Sequence, residues 1–195
     1  AWIVEQQVRK LGADDISFRP LIIAFGASSA EPHHVPGDDE LQTGDIVQFD
    51  LGARVGGYGS DLSRVAAMGK IDGLIAESWV KLVGIQQKLI KDCVCGAAVR
   101  EIDNQGKTML EKEGLIAYKH GLGHGVGLDP HVHEYPVLAD SSTIPAERLE
   151  SGMVFTIEPA IYHPDKFGLR VEDIVYLDLS GAQLLTQAKR ELVIV

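Results

Sequence analysis

The spacing of hydrophobic residues predicts three helices. Apolar side chains recur every three or four positions in the segments 2–11, 74–91 and 99–112. Gly12 and Gly114 follow the first and the third segment, and glycine is typical of the position just after a helix. We therefore expect one helix at the start of the chain and two in its middle.

Short apolar runs and alternating patterns predict strands elsewhere. The predicted strands cover residues 21–26, 45–53, 58–66, 120–127, 153–162, 168–177 and 191–195. The polar, proline-containing stretch 27–44 is predicted to be a loop. Because several strands follow one another across short turns while the helices form separate segments, we expect an α+β fold with helices segregated from a largely antiparallel sheet.

No feature of the sequence divides the chain. It contains neither a linker rich in Pro, Gly and Ser nor a repeat with a period of roughly 20–50 residues, so we interpret residues 1–195 as one domain. The first residue is Ala1 rather than methionine and falls directly before a predicted helix. We therefore expect that an upstream segment of the full protein is missing from this sequence.

Composition narrows the classes of partner. The 195 residues include 18 Lys and Arg against 28 Asp and Glu, a formal net charge of −10. This charge, without any basic run, argues against nucleic acid or anionic lipid as a partner. No apolar stretch approaches the roughly 20 residues of a membrane span.

Cys93 and Cys95 are too close for an ordinary disulfide framework, so we expect structural thiols in a reduced, cytoplasmic protein.

The first predicted hairpin carries two acidic residues. Asp50 and Asp61 are equidistant from a turn centred between Val55 and Gly56, so their side chains are predicted to face each other. Facing carboxylates repel unless something neutralises them, and a bound cation is the simplest remedy. The alternative is a register that differs by one residue, which would send the two acids to opposite faces.

The second predicted hairpin repeats the arrangement. Glu158 and Glu172 are equidistant from Asp165 in the loop between two apolar strands. Buried carboxylates need hydrogen-bonding partners or a metal. Arg170 lies two residues before Glu172 and on the same face, so a salt bridge between them is the alternative to a metal.

Two histidines could complete a ligand set. His120 and His124 lie in a segment with glycine at every second position, which favours an extended strand over a helix and allows close approach of backbone or substrate. His124 is interpreted as a ligand, and the alternative is a histidine of the core. One imidazole and four carboxylates form a hard, oxygen-rich set that suits Mn²⁺, Fe²⁺, Co²⁺ or Zn²⁺, and two ions could share it.

Six short runs carry these residues: 32–34 (PHH), 49–53 (FDLGA), 57–64 (GYGSDLSR), 120–128 (HGLGHGVGL), 152–159 (GMVFTIEP) and 168–173 (GLRVED). In order and spacing they resemble the pita-bread (M24) metallopeptidases, which include methionine aminopeptidase, aminopeptidase P and prolidase. The runs around Arg64 and Arg170, and the run AEPHH ending at His34, look more like the proline-specific branch. The resemblance extends over nearly the whole chain and implies the pita-bread fold, a curved antiparallel sheet covered by helices.

The resemblance implies five ligands of a dinuclear metal site: Asp50, Asp61, His124, Glu158 and Glu172. Two of them, Asp61 and Glu172, would bridge the ions. Mn²⁺ is the favoured metal, with Co²⁺, Fe²⁺ and Zn²⁺ as alternatives. The ions would activate a water molecule, from which Glu158 would take a proton as general base.

Further histidines and one arginine receive roles from the same resemblance. His33 would position the peptide, together with a second histidine that is either His131, by spacing from His124, or His133, by its following Glu-x-Pro context. The context slightly favours His133. Arg170 would hold Glu172 in place, and His120 would have a similar supporting or substrate-binding role.

The implied function is a metal-dependent exopeptidase that hydrolyses Xaa-Pro bonds in peptides, in the manner of aminopeptidase P or prolidase. The alternative enzyme is methionine aminopeptidase. The alternative from another class is a non-catalytic peptide-binding or scaffold protein, which would not need five intact ligands. The N-terminal domain typical of the proline-specific branch is not in this sequence, and the oligomeric state stays open, with a homodimer among the options.

Overall fold

A computed structural model describes residues 1–129, 133–140 and 148–195. Its α-helices are α1 (Trp2–Lys10), α2 (Gly73–Asp92) and α3 (Val99–Lys112). All three lie where the hydrophobic spacing predicts them. Gly12 and Gly114 both have positive φ, +104° and +74°, so each follows its helix in a conformation that glycine tolerates best.

The strands of the described residues form four small sheets. They are β1 (Asp15–Ile16), β2 (Ile22–Phe25), β3 (Ile46–Leu51), β4 (Ala53–Val55), β5 (Tyr58–Gly59), β6 (Leu62–Ala67), β7 (Gly123–Gly125), β8 (Glu134–Leu138), β9 (Val154–Ile157), β10 (Ala160–His163), β11 (Phe167–Arg170), β12 (Asp173–Asp178), β13 (Gly181–Leu184) and β14 (Val193–Ile194). The two larger sheets have the orders β13-β12-β9-β7-β8 and β14-β6-β3-β2, and the smaller ones β1-β4-β5 and β10-β11. Among the pairings of these strands only β14 with β6 is parallel, which confirms the α+β prediction.

Helices α2 and α3 pack against each other and against the five-stranded sheet. Leu82 and Leu89 of α2 and Leu110 of α3 are completely buried, as are Phe155 and Ile157 of β9. Burying a side chain of this kind stabilises a fold by about 1.5–3 kcal/mol. The core therefore holds β9 firmly up to its last residue, directly before Glu158.

The first hairpin has a different register from the predicted one. Its turn is Gly56-Gly57, with φ of +57° and +87°, as a two-residue hairpin turn requires. Asp50 therefore lies opposite Ser63 rather than Asp61, so the prediction of a directly facing Asp pair is wrong. The difference is two residues and keeps the side-chain parity, so both aspartates still line one pocket.

The second hairpin has the predicted register. Strand β10 pairs with β11, and β9 pairs with β12, in one continuous alignment. Glu158 and Glu172 occupy the gap between these two ladders and lie opposite each other, as predicted. The predicted strands 153–162 and 168–177 are thus each divided in two at the acidic residue.

Smaller differences concern the polar segments. The predicted strand 120–127 is limited to β7. The first residues of the predicted loop 27–44 belong to a 3-10 helix, Gly26–Ala30. Cys93 is buried and Cys95 is exposed, and both are free thiols. Within the described ranges, none of the helices combines the length and the apolar character that crossing a bilayer requires.

Candidate active site

The five side chains predicted to be metal ligands line one pocket of about 310 Å³. Asp50 comes from β3 and His124 from β7, whereas Asp61, Glu158 and Glu172 each lie in an interruption between two strands. At such interruptions the backbone leaves the regular ladder, so side chains from different sheets can turn towards the same space. The five residues singled out from the sequence are therefore together, although their roles as ligands remain a prediction.

His124 is oriented by its own backbone neighbour. Its Nδ1 donates to the carbonyl of Gly125 at 3.0 Å, which makes Nε2 the nitrogen that carries the lone pair of a neutral ring. That Nε2 lies 3.6 Å from Asp61 Oδ2 and 3.6 Å from Glu158 Oε1. The ring nitrogen suited to ligation is thus directed at the carboxylates.

The glycines on either side of His124 are required by close backbone contacts. A Cβ on Gly123 would lie 2.0 Å from the carbonyl oxygen of Thr156, and one on Gly125 would lie 2.1 Å from that of Tyr135. Only glycine allows β8 and β9 to approach β7 so closely on both sides. The predicted close approach is therefore confirmed for the backbone.

Arg170 does not form the salt bridge with Glu172 that the sequence left as an alternative. Its guanidinium pairs directly with Asp50 Oδ2, and its Nε donates to the hydroxyl of Ser63 at 2.9 Å. Ser63 in turn donates to Glu172 Oε2 at 2.8 Å. Arg170 thus reaches Glu172 through Ser63, and the alternative of a direct salt bridge is wrong.

Three carboxylates of the pocket have an oxygen atom that is buried and without a hydrogen-bond partner among the described residues. These atoms are Asp50 Oδ1, Asp61 Oδ1 and Glu172 Oε1. Leaving such a group unsatisfied costs about 1–3 kcal/mol, and more when it is charged. A cluster of these atoms in one place calls for protons or for a cation.

The crowding also changes the acidity of the carboxylates. Burial, reinforced by the charges of neighbouring carboxylates, raises the pKa values of Asp61 and Glu172. Burial raises the pKa of Glu158 to about 8, although Arg170 opposes the shift. The metal-free pocket therefore retains protons that ordinary carboxylates would release.

The donor set fits a divalent metal. Ligating atoms of Asp61, His124 and Glu172 lie within 4.8 Å of one another, close enough for one ion to contact all three. Asp50 and Glu158 line the same pocket and could supply further oxygen ligands. Oxygen-rich sites with one imidazole suit hard or borderline divalent ions, and the orphaned oxygens are the atoms such an ion would satisfy.

The remaining histidines occupy different parts of the pocket. His33 is exposed at its rim, and the ring of His133 lies 4.1 Å from the ring of His124, measured between centroids. His131 lies outside the described residues, so the choice between His131 and His133 stays open. His120 lines the pocket wall and is partly buried.

A chain of hydrogen bonds connects His120 to Arg170 through Tyr162. Arg170 Nη1 donates to the Tyr162 hydroxyl at 3.0 Å, and that hydroxyl lies 3.1 Å from His120 Nε2. His120 Nδ1 donates to the carbonyl of Gly121 at 2.7 Å, so Nε2 of the neutral ring is an acceptor. The Tyr162 hydroxyl therefore donates to His120 Nε2. Burial lowers the pKa of His120 to about 4, so the ring is neutral at physiological pH.

Sequence reasoning assigned no role to Ser63 or Tyr162. Ser63 stands in one of the quoted motifs, but its contact with Glu172 depends on the packing of β6 against the interruption between β11 and β12. Tyr162 could have been found from the second hairpin. Its predicted register, which the structure confirms, places Ala160 opposite Arg170 and hence Tyr162 on the same face.

Known proteins resemble this chain in sequence and in structure. Residues 1–178 match the model of metallopeptidase family M24. The chain is 35% identical over 192 residues to a putative dipeptidase of Bacillus subtilis (98% of this chain, 51% of the relative). It is 36% identical over 192 residues to an Xaa-Pro dipeptidase of Pyrococcus horikoshii (97% and 53%). The crystal structure of an X-Pro aminopeptidase from Thermotoga maritima superimposes with a TM-score of 0.93 at 32% identity (100% and 54%).

The chain belongs to metallopeptidase family M24, and it has the pita-bread fold that the sequence motifs imply. It spans about half the length of the curated relatives it matches. The names of these relatives confirm that its family is one of peptidases, and they include both dipeptidases and an aminopeptidase.

Proposed function

We propose that this chain carries the active site of a metal-dependent exopeptidase that hydrolyses Xaa-Pro peptide bonds. The observation that carries the proposal is the pocket itself, in which four carboxylates and His124 converge and three buried oxygens have no partner among the described residues. Membership of family M24 supports the reaction class. The Xaa-Pro names of two relatives support the substrate class.

Five residues would hold two divalent ions: Asp50, Asp61, His124, Glu158 and Glu172. Asp61 and Glu172 would contribute to both ions, and Mn²⁺ suits the hard donor set. When bound, such ions polarise the peptide carbonyl and make water acidic enough to react at neutral pH. Arg170 would hold Asp50 through their ion pair, and Ser63 would hold Glu172.

Glu158 would move the proton. Its carboxylate is at the pocket wall and keeps an exposed fraction of 15%, so a water molecule can reach it. Without a cation the pKa of Glu158 is about 8, so this carboxyl can gain and lose a proton near neutral pH. A nearby cation would favour the charged form, which is the form that accepts a proton. Glu158 would therefore take a proton from the attacking water and release it to the departing amine.

The rim of the pocket would bind the peptide. His33 and His133 are exposed there and can donate hydrogen bonds to the peptide as charge develops on it. Phe18, Ile22 and Val137 add apolar surface to the same wall, which suits the pyrrolidine ring of proline.

The proposal is tested with three substrates and two metals. The chain is stripped of metal, reloaded with Mn²⁺ or Co²⁺, and assayed on an Xaa-Pro dipeptide, a longer Xaa-Pro peptide and a Met-Ala peptide. We expect metal-dependent hydrolysis of one or both proline substrates. Preference for the dipeptide would indicate the prolidase type, and preference for the longer peptide would indicate the aminopeptidase P type.

Two controls make the assay decisive. The dipeptide with alanine in place of proline tests whether proline itself is selected, and Glu158→Gln reports any contaminating peptidase. Hydrolysis of the Met-Ala peptide alone would favour methionine aminopeptidase. Peptide binding without hydrolysis by any loaded form would favour the non-catalytic alternative.

A further inference from the structure

A second group of buried and partly buried polar side chains surrounds Asp173, the residue directly after Glu172. Asp173 is completely buried, and its carboxylate accepts four hydrogen bonds of 2.5–2.9 Å. The donors are Arg64 Nη2, Thr186 Oγ1, Gln86 Nε2 and Arg190 Nε. We call these five residues the Asp173 cluster. It lies outside the pocket, and the proposed reaction does not use it.

Arg64 connects this cluster to the candidate metal site. Its Nη1 donates to the backbone carbonyls of Ser63 at 2.8 Å and Glu172 at 2.6 Å. Its Nη2 and Nε donate to Asp173 and to two carbonyls of the segment 186–190. All five N–H groups of the guanidinium are therefore in use, a number that no other side chain can supply.

Glu172 depends on these contacts because it lies outside the regular strands. It occupies the interruption between β11 and β12. Its backbone N–H donates to the Ser63 carbonyl at 3.2 Å, its own carbonyl accepts from Arg64, and its carboxylate accepts from the Ser63 hydroxyl. Two consecutive residues of β6 thus fix Glu172 at its backbone N–H, its carbonyl and its carboxylate.

We infer that Arg64, held in place by Asp173, is a positioning residue that fixes Glu172 for metal binding. This inference rests on the proposed function, in which Glu172 is a metal ligand. Groups that hold a ligand in place commonly change metal affinity by 10- to 100-fold when they are removed. Lysine would keep the charge at position 64 but offers only three donors, so it cannot bind both carbonyls, Asp173 and the segment 186–190 together.

The experiment compares Mn²⁺ affinity with stability in the full chain. Isothermal titration calorimetry gives the Kd of the metal-free protein for Mn²⁺, and thermal unfolding without metal gives the Tm. We expect Arg64→Lys to raise the Kd at least tenfold. If Arg64→Lys does not fold, Asp173→Asn takes its place with the same expectation, because it weakens the ion pair that holds Arg64.

Two control variants separate positioning from general loss of stability. Thr186→Val removes a hydrogen bond to Asp173 Oδ1, the oxygen that also accepts from Arg64 Nη2. It leaves the Glu172 carbonyl bonded to Arg64. Ile102→Val shortens a buried core residue of α3 and lowers the Tm without touching the Asp173 cluster. We expect both to keep the Kd within threefold of the unaltered chain.

Each outcome has a distinct meaning. A Kd for Arg64→Lys within threefold of the unaltered chain would overturn the inference, as would an equal rise of the Kd in Ile102→Val at a similar loss of Tm. Failure of the unaltered chain to bind Mn²⁺ at all would overturn the proposed function itself. A selective rise in Arg64→Lys supports the inference.

Discussion

Glu172 and Asp173 are consecutive, almost completely buried carboxylates with opposite surroundings. Glu172 shares its pocket with other carboxylates, and its Oε1 has no partner among the described residues. Asp173 is bonded to two arginines and to two neutral donors. The contrast arises because successive side chains of an extended segment point to opposite faces.

This comparison shows that burial of an acid does not by itself indicate a metal site. The charge of Asp173 is balanced within the protein by Arg64 and Arg190. The pocket around Glu172 contains four carboxylates and a single guanidinium, that of Arg170, which already pairs with Asp50. An imbalance of charge together with orphaned oxygens is what indicates that a cation belongs there.

The largest expected effect tests the pocket side of this comparison. Glu158→Gln should lower kcat about 10²- to 10⁴-fold, because the variant lacks the group proposed to carry the proton. The metal-free variant should fold at least as stably as the unaltered chain, since a neutral amide replaces a carboxyl that burial disfavours as an anion. Steady-state kinetics with Mn²⁺ and thermal unfolding without metal measure the two quantities. Full activity in carefully stripped and reloaded protein would refute the assignment.

A somewhat smaller effect is expected at the rim of the pocket. His133→Ala should lower kcat and kcat/KM together by about 10²-fold, because a hydrogen bond made in the transition state would be lost. His131→Ala is the matched variant and should have a much weaker effect. The reverse ranking would show that spacing from His124, rather than the Glu-x-Pro context, identifies the substrate-binding histidine.

Replacing the second arginine of the Asp173 cluster, Arg190, should lower stability rather than metal affinity. Arg190→Met removes the donor to Asp173 Oδ2 and to Gln86, but leaves Arg64 in contact with Glu172. We expect a loss of about 1–3 kcal/mol in the free energy of unfolding, measured by urea denaturation. The Kd for Mn²⁺ should stay within threefold. A large loss of metal affinity without a loss of stability would contradict the separation of the Asp173 cluster from the metal-binding pocket.

The smallest expected effect is a dependence of stability on pH in the metal-free chain. A folded-state pKa of about 8 for Glu158, above its ordinary value of 4.5, means that the folded protein binds more protons than the unfolded one in this range. Stability should therefore fall as pH rises from 6.5 to 8, by roughly 1 kcal/mol per pH unit for one such group. His120, with its pKa lowered from 6.5 to about 4, contributes an opposite slope that is largest between pH 4 and 6.5 and fades above 6.5.

Urea denaturation at several pH values within this window measures the slope. Addition of Mn²⁺ should weaken or reverse it, because deprotonated carboxylates bind the ion. Glu158→Gln should reduce the slope, and the remainder would come from Asp61 and Glu172, whose pKa values are also raised. A metal-free stability that stays constant or rises with pH would show that the pocket carboxylates do not retain their protons.

The sequence alone determined much of the local structure and the identity of the candidate site. Hydrophobic spacing located α1, α2 and α3, and symmetry about the 163–167 loop placed Glu158 opposite Glu172. These features depend on residues close together in the chain, whose geometry has a fixed period. The acidic and histidine motifs indicated the pocket residues, because few other arrangements place so many ligand types in apolar strands.

Only the tertiary structure decided how these residues are held. The first hairpin turned at Gly56-Gly57, which moved Ser63 opposite Asp50. The ion pair of Arg170 with Asp50 joins residues 120 positions apart, and the bond of Arg64 to the Glu172 carbonyl spans 108. Contacts over such separations depend on how the sheets pack against each other. Local periodicity contains no information about that packing, so the partners of each buried carboxylate could be read only from the folded chain.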